Sequence, residues 1–203
     1  MKLIGMMDSP YVRRVAVSLR ALGIAHEHEQ VSVFRHFDRF KAVNPVVKAP
    51  TLVCADGTVL MDSTLILDHI ESTLGGRASL MPAAPAQRLA ALRLIGLALA
   101  ACEKAVQIVY ENTQRPPEKA HQPWLERVTT QMHAAWRELE PAAPAQGYLI
   151  GGALSQADIT LAVAWGFAAR ALKDGLKSAD YPAIAAFGAR MEKLPAFAQS
   201  PAG

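Results

Sequence analysis

The run Gly75-Gly76-Arg77-Ala78-Ser79-Leu80-Met81-Pro82-Ala83-Ala84-Pro85 constrains the fold more than any other stretch of this chain. Its glycines, prolines and small residues continue neither a helix nor a strand. On either side the texture differs. Before it, short β-like runs alternate with helical segments; after it, almost everything has helical periodicity. The chain therefore reads as two domains, 1–76 and 86–203, joined by a linker at 77–85.

In the first part, Leu3-Ile4 forms a short strand. Apolar residues at Val12, Val15, Ala16, Leu19 and Leu22 then recur at helical spacing from Pro10, and Gly23 supplies a stop. Residues 26–33 alternate as a second strand, and 34–43 form a loop or short helix. Thr51-Leu52-Val53-Cys54 and Thr58-Val59-Leu60 flank Ala55-Asp56-Gly57, a hairpin signal. A helix follows over 62–74. The order βαβ, hairpin, helix calls for a mixed sheet, because a crossover makes a parallel pair and a hairpin an antiparallel one.

The second part predicts helices over 85–114, stopped by Arg115-Pro116-Pro117, and over 123–140, stopped by Pro141. Residues 156–172 are apolar on every face, the pattern of a central helix. Ser155-Gln156-Ala157-Asp158 is a capping box at its start, with Leu154 and Ile159 placed as a staple. A last amphipathic helix follows Pro182.

With 203 residues, 51% hydrophobic and 19% charged, the chain is long enough for a sizeable core and too apolar to be disordered. The net charge of +3 is spread along the chain and leaves no basic stripe for nucleic acid. The N-terminal apolar run meets Asp8 too soon for a signal peptide, and the fully apolar run 94–102 is far below the ~20 residues that cross a bilayer. Cys54 and Cys102 are distant from each other and lack Cys-x-x-Cys spacing, which fits a reduced, cytoplasmic setting and offers no cysteine metal cluster.

Three short motifs carry candidate chemistry. Ser9-Pro10-Tyr11 opens the first helix, placing a hydroxyl and unpaired N–H groups at its positive end, where an anion such as a thiolate is stabilised. The same dipeptide suits a plain N-cap followed by Pro at N1. Lys48-Ala49-Pro50-Thr51-Leu52 follows, and Asp62-Ser63 opens another helix, as an Asp N-cap or as an anion site.

Together with Arg13-Arg14-Val15, Asn44-Pro45 and Leu154-Ser155-Gln156-Ala157-Asp158, these motifs resemble the cytosolic glutathione transferases of bacterial type, with serine at the catalytic position. The resemblance covers the whole chain. It implies a thioredoxin-like N-terminal domain with a mixed four-stranded sheet, followed by an all-helical C-terminal domain. It implies Ser9 as the group that ionises the glutathione thiol. A thiol with pKa near 8.5 is only a few per cent thiolate at neutrality, and lowering that pKa by about two units takes roughly 2.7 kcal/mol, within reach of a hydroxyl plus a helix end.

By the same resemblance Pro50 is a cis-proline and Ala49 offers its backbone to the cysteinyl part of glutathione. Lys48 faces the glycyl carboxylate, or is a solvated loop lysine. Ser63 holds the γ-glutamyl carboxylate and Asp62 the ammonium. Val47 stands where many members have Gly. Glutathione is a co-substrate, with no metal; the other substrate is a small hydrophobic electrophile, and the chain forms a homodimer without nucleic acid or membrane. Tyr110 and Trp165 are candidates for the second-substrate pocket, set against core packing; Trp124 and Trp136 are assigned to packing. His26 and His28 read as a polar edge strand, and Arg13 and Arg14 as a solvated or domain-bridging face. Two other functions remain open: glutathione-dependent peroxide reduction or isomerisation at the same site, and a non-catalytic binding module of this fold.

Overall fold

The computed structural model describes residues 1–75, 79–172 and 175–203. They fall into two compact units, Met1–Met81 with Lys193–Gly203, and Pro82–Glu192. Gly76, Arg77 and Ala78, where the sequence reading sets its boundary, lie outside the described residues. Residues 193–203, assigned from sequence to the helical domain, group with the first unit.

The first unit runs β1 (Lys2–Ile4), α1 (Pro10–Ala21), β2 (Glu27–Glu29), α2 (Phe37–Val43), β3 (Thr51–Val53), β4 (Val59–Met61) and α3 (Ser63–Ser72). The four strands lie in the order β2-β1-β3-β4. β1 pairs parallel with β2 and antiparallel with β3, and β3 pairs antiparallel with β4. This is the mixed sheet that the chain order demands.

Alternation along the strands builds a core on each face. Leu3 and Leu52 point to one side, where Val12, Val15 and Leu19 of α1 meet Ile66 and Ile70 of α3. Ile4 and Val53 point to the other, against Val31 and Phe40 of α2. Helix α1 ends where Gly23 takes φ +65°. Gly23 N–H then reaches Arg20 O and Ile24 N–H reaches Leu19 O, satisfying two terminal carbonyls, while Ile24 packs back on the core holding Leu19.

The second strand is shorter than its sequence suggests. β1 offers three partners, so only Glu27–Glu29 pair; Val31 and Val33 are apolar because they pack on the α2 side, without a ladder.

In the second unit the helices are α4 (Pro85–Thr113), α5 (Gln122–Leu139), α6 (Gln156–Ala171) and α7 (Pro182–Met191). α6 is buried almost throughout and packs against α4 and α7. Its capping box is formed: Asp158 accepts Ser155 N–H at 2.8 Å, Ser155 hydroxyl at 2.6 Å and Leu149 N–H at 2.7 Å. The carboxylate of Glu140 serves α7 similarly, accepting the N–H groups of Ala183 and Ile184 at 2.7 and 3.1 Å. Gly188 permits close approach of α7 to α6, since a Cβ there would sit 3.0 Å from Trp165 Cδ1. A short helix, α8 (Pro195–Ala198), closes the chain and packs on α1 within the first unit. No helix among the described residues is long and apolar enough to cross a membrane.

Candidate functional site

The strand register draws the three sequence motifs together. Ile4 is opposite Thr51, and Thr51 opposite Met61. The chain leaving β1, the chain entering β3 and the chain leaving β4 therefore meet at one edge of the sheet. These are the segments that carry Ser9, Lys48-Ala49-Pro50 and Asp62-Ser63. Gly5 makes the approach possible: at φ +141°, a Cβ there would be 2.5 Å from Val12 Cγ2 and 3.2 Å from Ala49 Cβ.

Ser9 is half-buried and caps α1 with extended backbone. Its Oγ accepts Val12 N–H at 3.5 Å, a long bond. Its hydroxyl proton is donated to no group among the described residues. The position thus combines a capping oxygen, a spare O–H donor and the positive end of a twelve-residue helix.

The Ala49–Pro50 peptide is cis. Buried Asn44 braces this loop: its Nδ2 donates to Thr51 Oγ1 at 2.8 Å, and Thr51 hydroxyl donates to Lys48 O at 2.7 Å. Among the described residues nothing pairs with the backbone N–H or C=O of Ala49. Val47 holds φ 53°, a left-handed conformation that a β-branched residue rarely takes.

Asp62 also has a positive φ, 73°. Its Oδ1 caps α3 by accepting Thr64 N–H at 2.8 Å, and its Oδ2 lies 3.8 Å from Lys48 Nζ. Both side chains are largely solvated, so this pair is weak and can open to other charges. Ser63 is buried at the first position of α3, and its backbone N–H has no acceptor among the described residues.

The arginine pair corrects the sequence reading. Arg13 and Arg14 are buried, not solvated. Arg14, 3% exposed, donates from Nη1 to Ser63 Oγ and to Thr64 Oγ1, both at 3.0 Å. With its lone pair engaged, the Ser63 hydroxyl is left to donate outward. Arg14 and Thr64 were missed because a charged doublet on a helix reads as solvent-facing. The available signal was the placement of Arg14 beside Val15 and one turn before Ser18, inside a buried stripe. Arg13 donates from Nε to Ser200 O at 2.8 Å and lies over the Phe197 ring.

His26 and His28 each engage a backbone carbonyl, of Ile24 at 3.0 Å and Gly5 at 2.9 Å. No cluster of three or more metal-ligating side chains occurs among the described residues. Cys54 lies beyond the far end of β3, 3.9 Å from His69 Nε2; burial and then Asp56 push its thiol up, which disfavours a thiolate there.

In the second unit, Trp165 is 5% exposed and packs edge-on against Trp136 and Tyr181. Tyr110 is 46% exposed. Trp136 is fully buried, but Trp124, also assigned to packing, is 41% exposed.

A sheet edge with a helix-end hydroxyl, an open peptide before a cis-proline and a Ser-bearing helix start fits an extended peptide with charged ends. Family models agree. Glutathione S-transferase, N-terminal domain, matches residues 3–78, and Glutathione S-transferase, C-terminal domain, matches residues 122–190. The chain belongs to the glutathione transferase family. It is 27% identical to the uncharacterised GST-like protein YibF of Escherichia coli K12, over 80% of this chain and 76% of that one. Among solved structures, a glutathione S-transferase of Methylobacterium radiotolerans in complex with glutathione sulfonate superposes with TM-score 0.90 at 26% identity, covering 98% of this chain and 93% of that one. A family member of Pseudomonas fluorescens Pf-5 with bound glutathione gives TM-score 0.85 at 28% identity, covering 100% and 98%.

Proposed function

We propose that this chain is a glutathione transferase that ionises the glutathione sulfur at the N-terminus of α1 and directs it at a small apolar electrophile. The observation that carries this reading is the convergence of Ser9, Ala49-Pro50 and Asp62-Ser63 at one sheet edge. Ser9 hydroxyl donates to the sulfur, and the helix end favours its negative charge. Ala49 pairs its N–H and C=O with the cysteinyl peptide. The Ser63 hydroxyl and N–H hold the γ-glutamyl carboxylate, with Arg14 fixing the hydroxyl. Asp62 faces the γ-glutamyl ammonium and Lys48 the glycyl carboxylate, each exchanging the weak Lys48–Asp62 pair for a ligand charge.

Catalysis then consists of positioning and thiolate stabilisation, with carbon–sulfur bond formation displacing the electrophile's leaving group. Tyr110, exposed on α4, is retained as a residue of the second-substrate pocket, whereas the Trp165 ring is engaged in packing. Residues 77–85 act as the linker, the protein works in the cytoplasm, and it functions as a homodimer.

The test is Ser9→Ala assayed with an activated chloroarene. Loss of one charge-assisted hydrogen bond to the thiolate should lower kcat/KM by about 10- to 100-fold near neutrality and shift the acid limb of its pH profile upward. An unchanged profile from about pH 6 to 8, the range a glutathione thiolate must span, removes Ser9 from the chemistry. Binding of glutathione without turnover of any electrophile would favour the non-catalytic module instead.

A further inference from the structure

Cys54 and His69 stand apart from the sheet-edge site. Cys54 follows Val53, which is opposite Lys2, whereas the three motifs meet at the other end of the strands, where Thr51 is opposite Ile4. The turn between β3 and β4 sets its position: Cys54 N–H donates to Thr58 O at 2.8 Å, and Cys54 O accepts Gly57 N–H at 3.1 Å. Gly57 reverses the chain there at φ +87°, which glycine adopts without a steric penalty. His69 comes from the last turn of α3, whose Ile66 and Ile70 lie in the same core that Cys54 packs against. A tight hairpin and a docked helix thus bring a thiol and an imidazole face to face. Cys54 Sγ is 3.9 Å from His69 Nε2, and both side chains are half-buried.

One ion can bond both atoms across that gap. With metal–sulfur and metal–nitrogen bonds of about 2.3 and 2.0–2.1 Å, the lengths found at zinc, the angle at the metal is about 125–130°. This is wider than a tetrahedral corner and suits an ion of low coordination number. A larger donor set is not at hand, since no cluster of three or more metal-ligating side chains occurs among the described residues. The Asp56 carboxylate is engaged by Thr58, whose N–H it accepts at 2.9 Å and whose hydroxyl it accepts at 3.0 Å. Its negative charge nevertheless acts on both Cys54 and His69, a field that favours a cation between them.

We propose that Cys54 and His69 form a two-ligand site for a soft monovalent ion of the copper(I) type. Thiolate is the donor such an ion selects and imidazole also suits copper, whereas structural zinc calls for four donors. As the ion binds, the Cys54 thiol proton passes to solvent, one sulfur–metal and one nitrogen–metal bond form, and no electron is transferred. His69 bonds through the Nε2 lone pair, with its ring proton on Nδ1. The thiolate cancels the single charge of the ion, so the loaded pair is neutral and its half-burial costs little. A divalent ion there would keep a positive charge out of water.

The experiment is anaerobic titration of the full chain with copper(I) held by the coloured chelator bicinchoninate, in buffer free of thiols, with zinc(II) titrated in parallel. One copper(I) per chain should leave the chelator. Cys54→Ser should abolish this uptake, although buried Cys102 is still present. His69→Gln should weaken it at least about 100-fold, more than the loss of an outer-shell contact costs. Zinc(II) should bind at least about 100-fold more weakly than copper(I), lacking its four donors. S-methylglutathione, which has no free thiol, should leave copper(I) affinity unchanged. No uptake, uptake that survives Cys54→Ser, indifference to His69→Gln, zinc binding as tight as copper, or displacement by S-methylglutathione each overturns the proposal. Both residues are half-buried, so the variants spare the fully buried core, and thermal unfolding confirms that each is folded. None of these outcomes bears on Ser9, so this inference and the transferase reading fail independently.

Discussion

Arg14 is the residue whose role is most sharply defined by geometry. A buried guanidinium that spans two hydroxyls at 3.0 Å fixes the start of α3, and with it the Ser63 donor. Arg14→Gln should raise KM for glutathione about 10- to 100-fold, the worth of a hydrogen bond to a charged group, while kcat changes less. Arg14→Lys should restore only part, because an ammonium on a flexible stem does not hold its donors in the fixed plane that lets Arg14 Nη1 reach both hydroxyls. Steady-state kinetics at varied glutathione, with thermal unfolding as a control for folding, separates the two effects. Val47 gives a second residue-scale prediction. Alanine normally outranks glycine in stability by about 0.5–1 kcal/mol. At φ 53° the order should reverse, with Val47→Gly more stable than Val47→Ala by about 1 kcal/mol in urea unfolding, since only glycine escapes the left-handed penalty. Equal stabilities would mean that the loop relaxes out of that conformation.

At the scale of elements, the corner after α4 should respond to acid. The His121 N–H, foremost, and Arg115 hold the Glu111 carboxyl below the usual carboxylate range. A group lowered in the folded state contributes stability above its unfolded pKa, about 4.3 for Glu, and loses it as pH falls through the lower folded value. Protection of the His121 amide from hydrogen exchange should therefore hold near neutrality and decline below that range, whereas Glu111→Gln should show no such acid step. The capping box supplies a second test at this scale. Ser155→Ala should cost about 1 kcal/mol, read as a lower unfolding midpoint of the second unit. Helices were the legible part of this chain, because caps, prolines and a 3.6-residue period are local signals. α1, α4, α5 and α6 fall within a residue or two of their expected limits. The second strand was overextended, since Val31 and Val33 look like strand residues but answer to a face of the core. α8 went unseen, being a single turn whose reason for existing is a distant partner. The motifs at 9, 48–50 and 62–63 were visible, but the buried link from Arg14 to Ser63 was not, because burial of a charge is decided by tertiary packing.

For the molecule as a whole, the proposed homodimer and the proposed ligand are both open to simple measurement. Val59 and Leu65 in the first unit, and Leu89 and Leu92 in the second, are large apolar side chains left exposed. If these are faces that meet a second copy, Leu65→Arg or Leu89→Arg should shift the mass in solution from two chains toward one at micromolar concentration, and light scattering reads this directly. A wild-type chain that is monomeric at that concentration removes the dimer. Glutathione at about one hundred times its Kd should add about 2.7 kcal/mol to stability, which for a chain of this size raises Tm by roughly 5–10 °C. No shift would argue against a ligand at the sheet edge.

The return of residues 193–203 to the first unit has a consequence for biosynthesis. Arg13 finds the Ser200 carbonyl and the Phe197 ring only after the second unit, Pro82–Glu192, has been made. The first unit therefore begins to leave the ribosome before the second yet cannot finish folding before it, because it waits on residues 193–203. A nascent chain stalled after Glu192 should expose the first unit to protease, and release of residues 193–203 should restore its resistance.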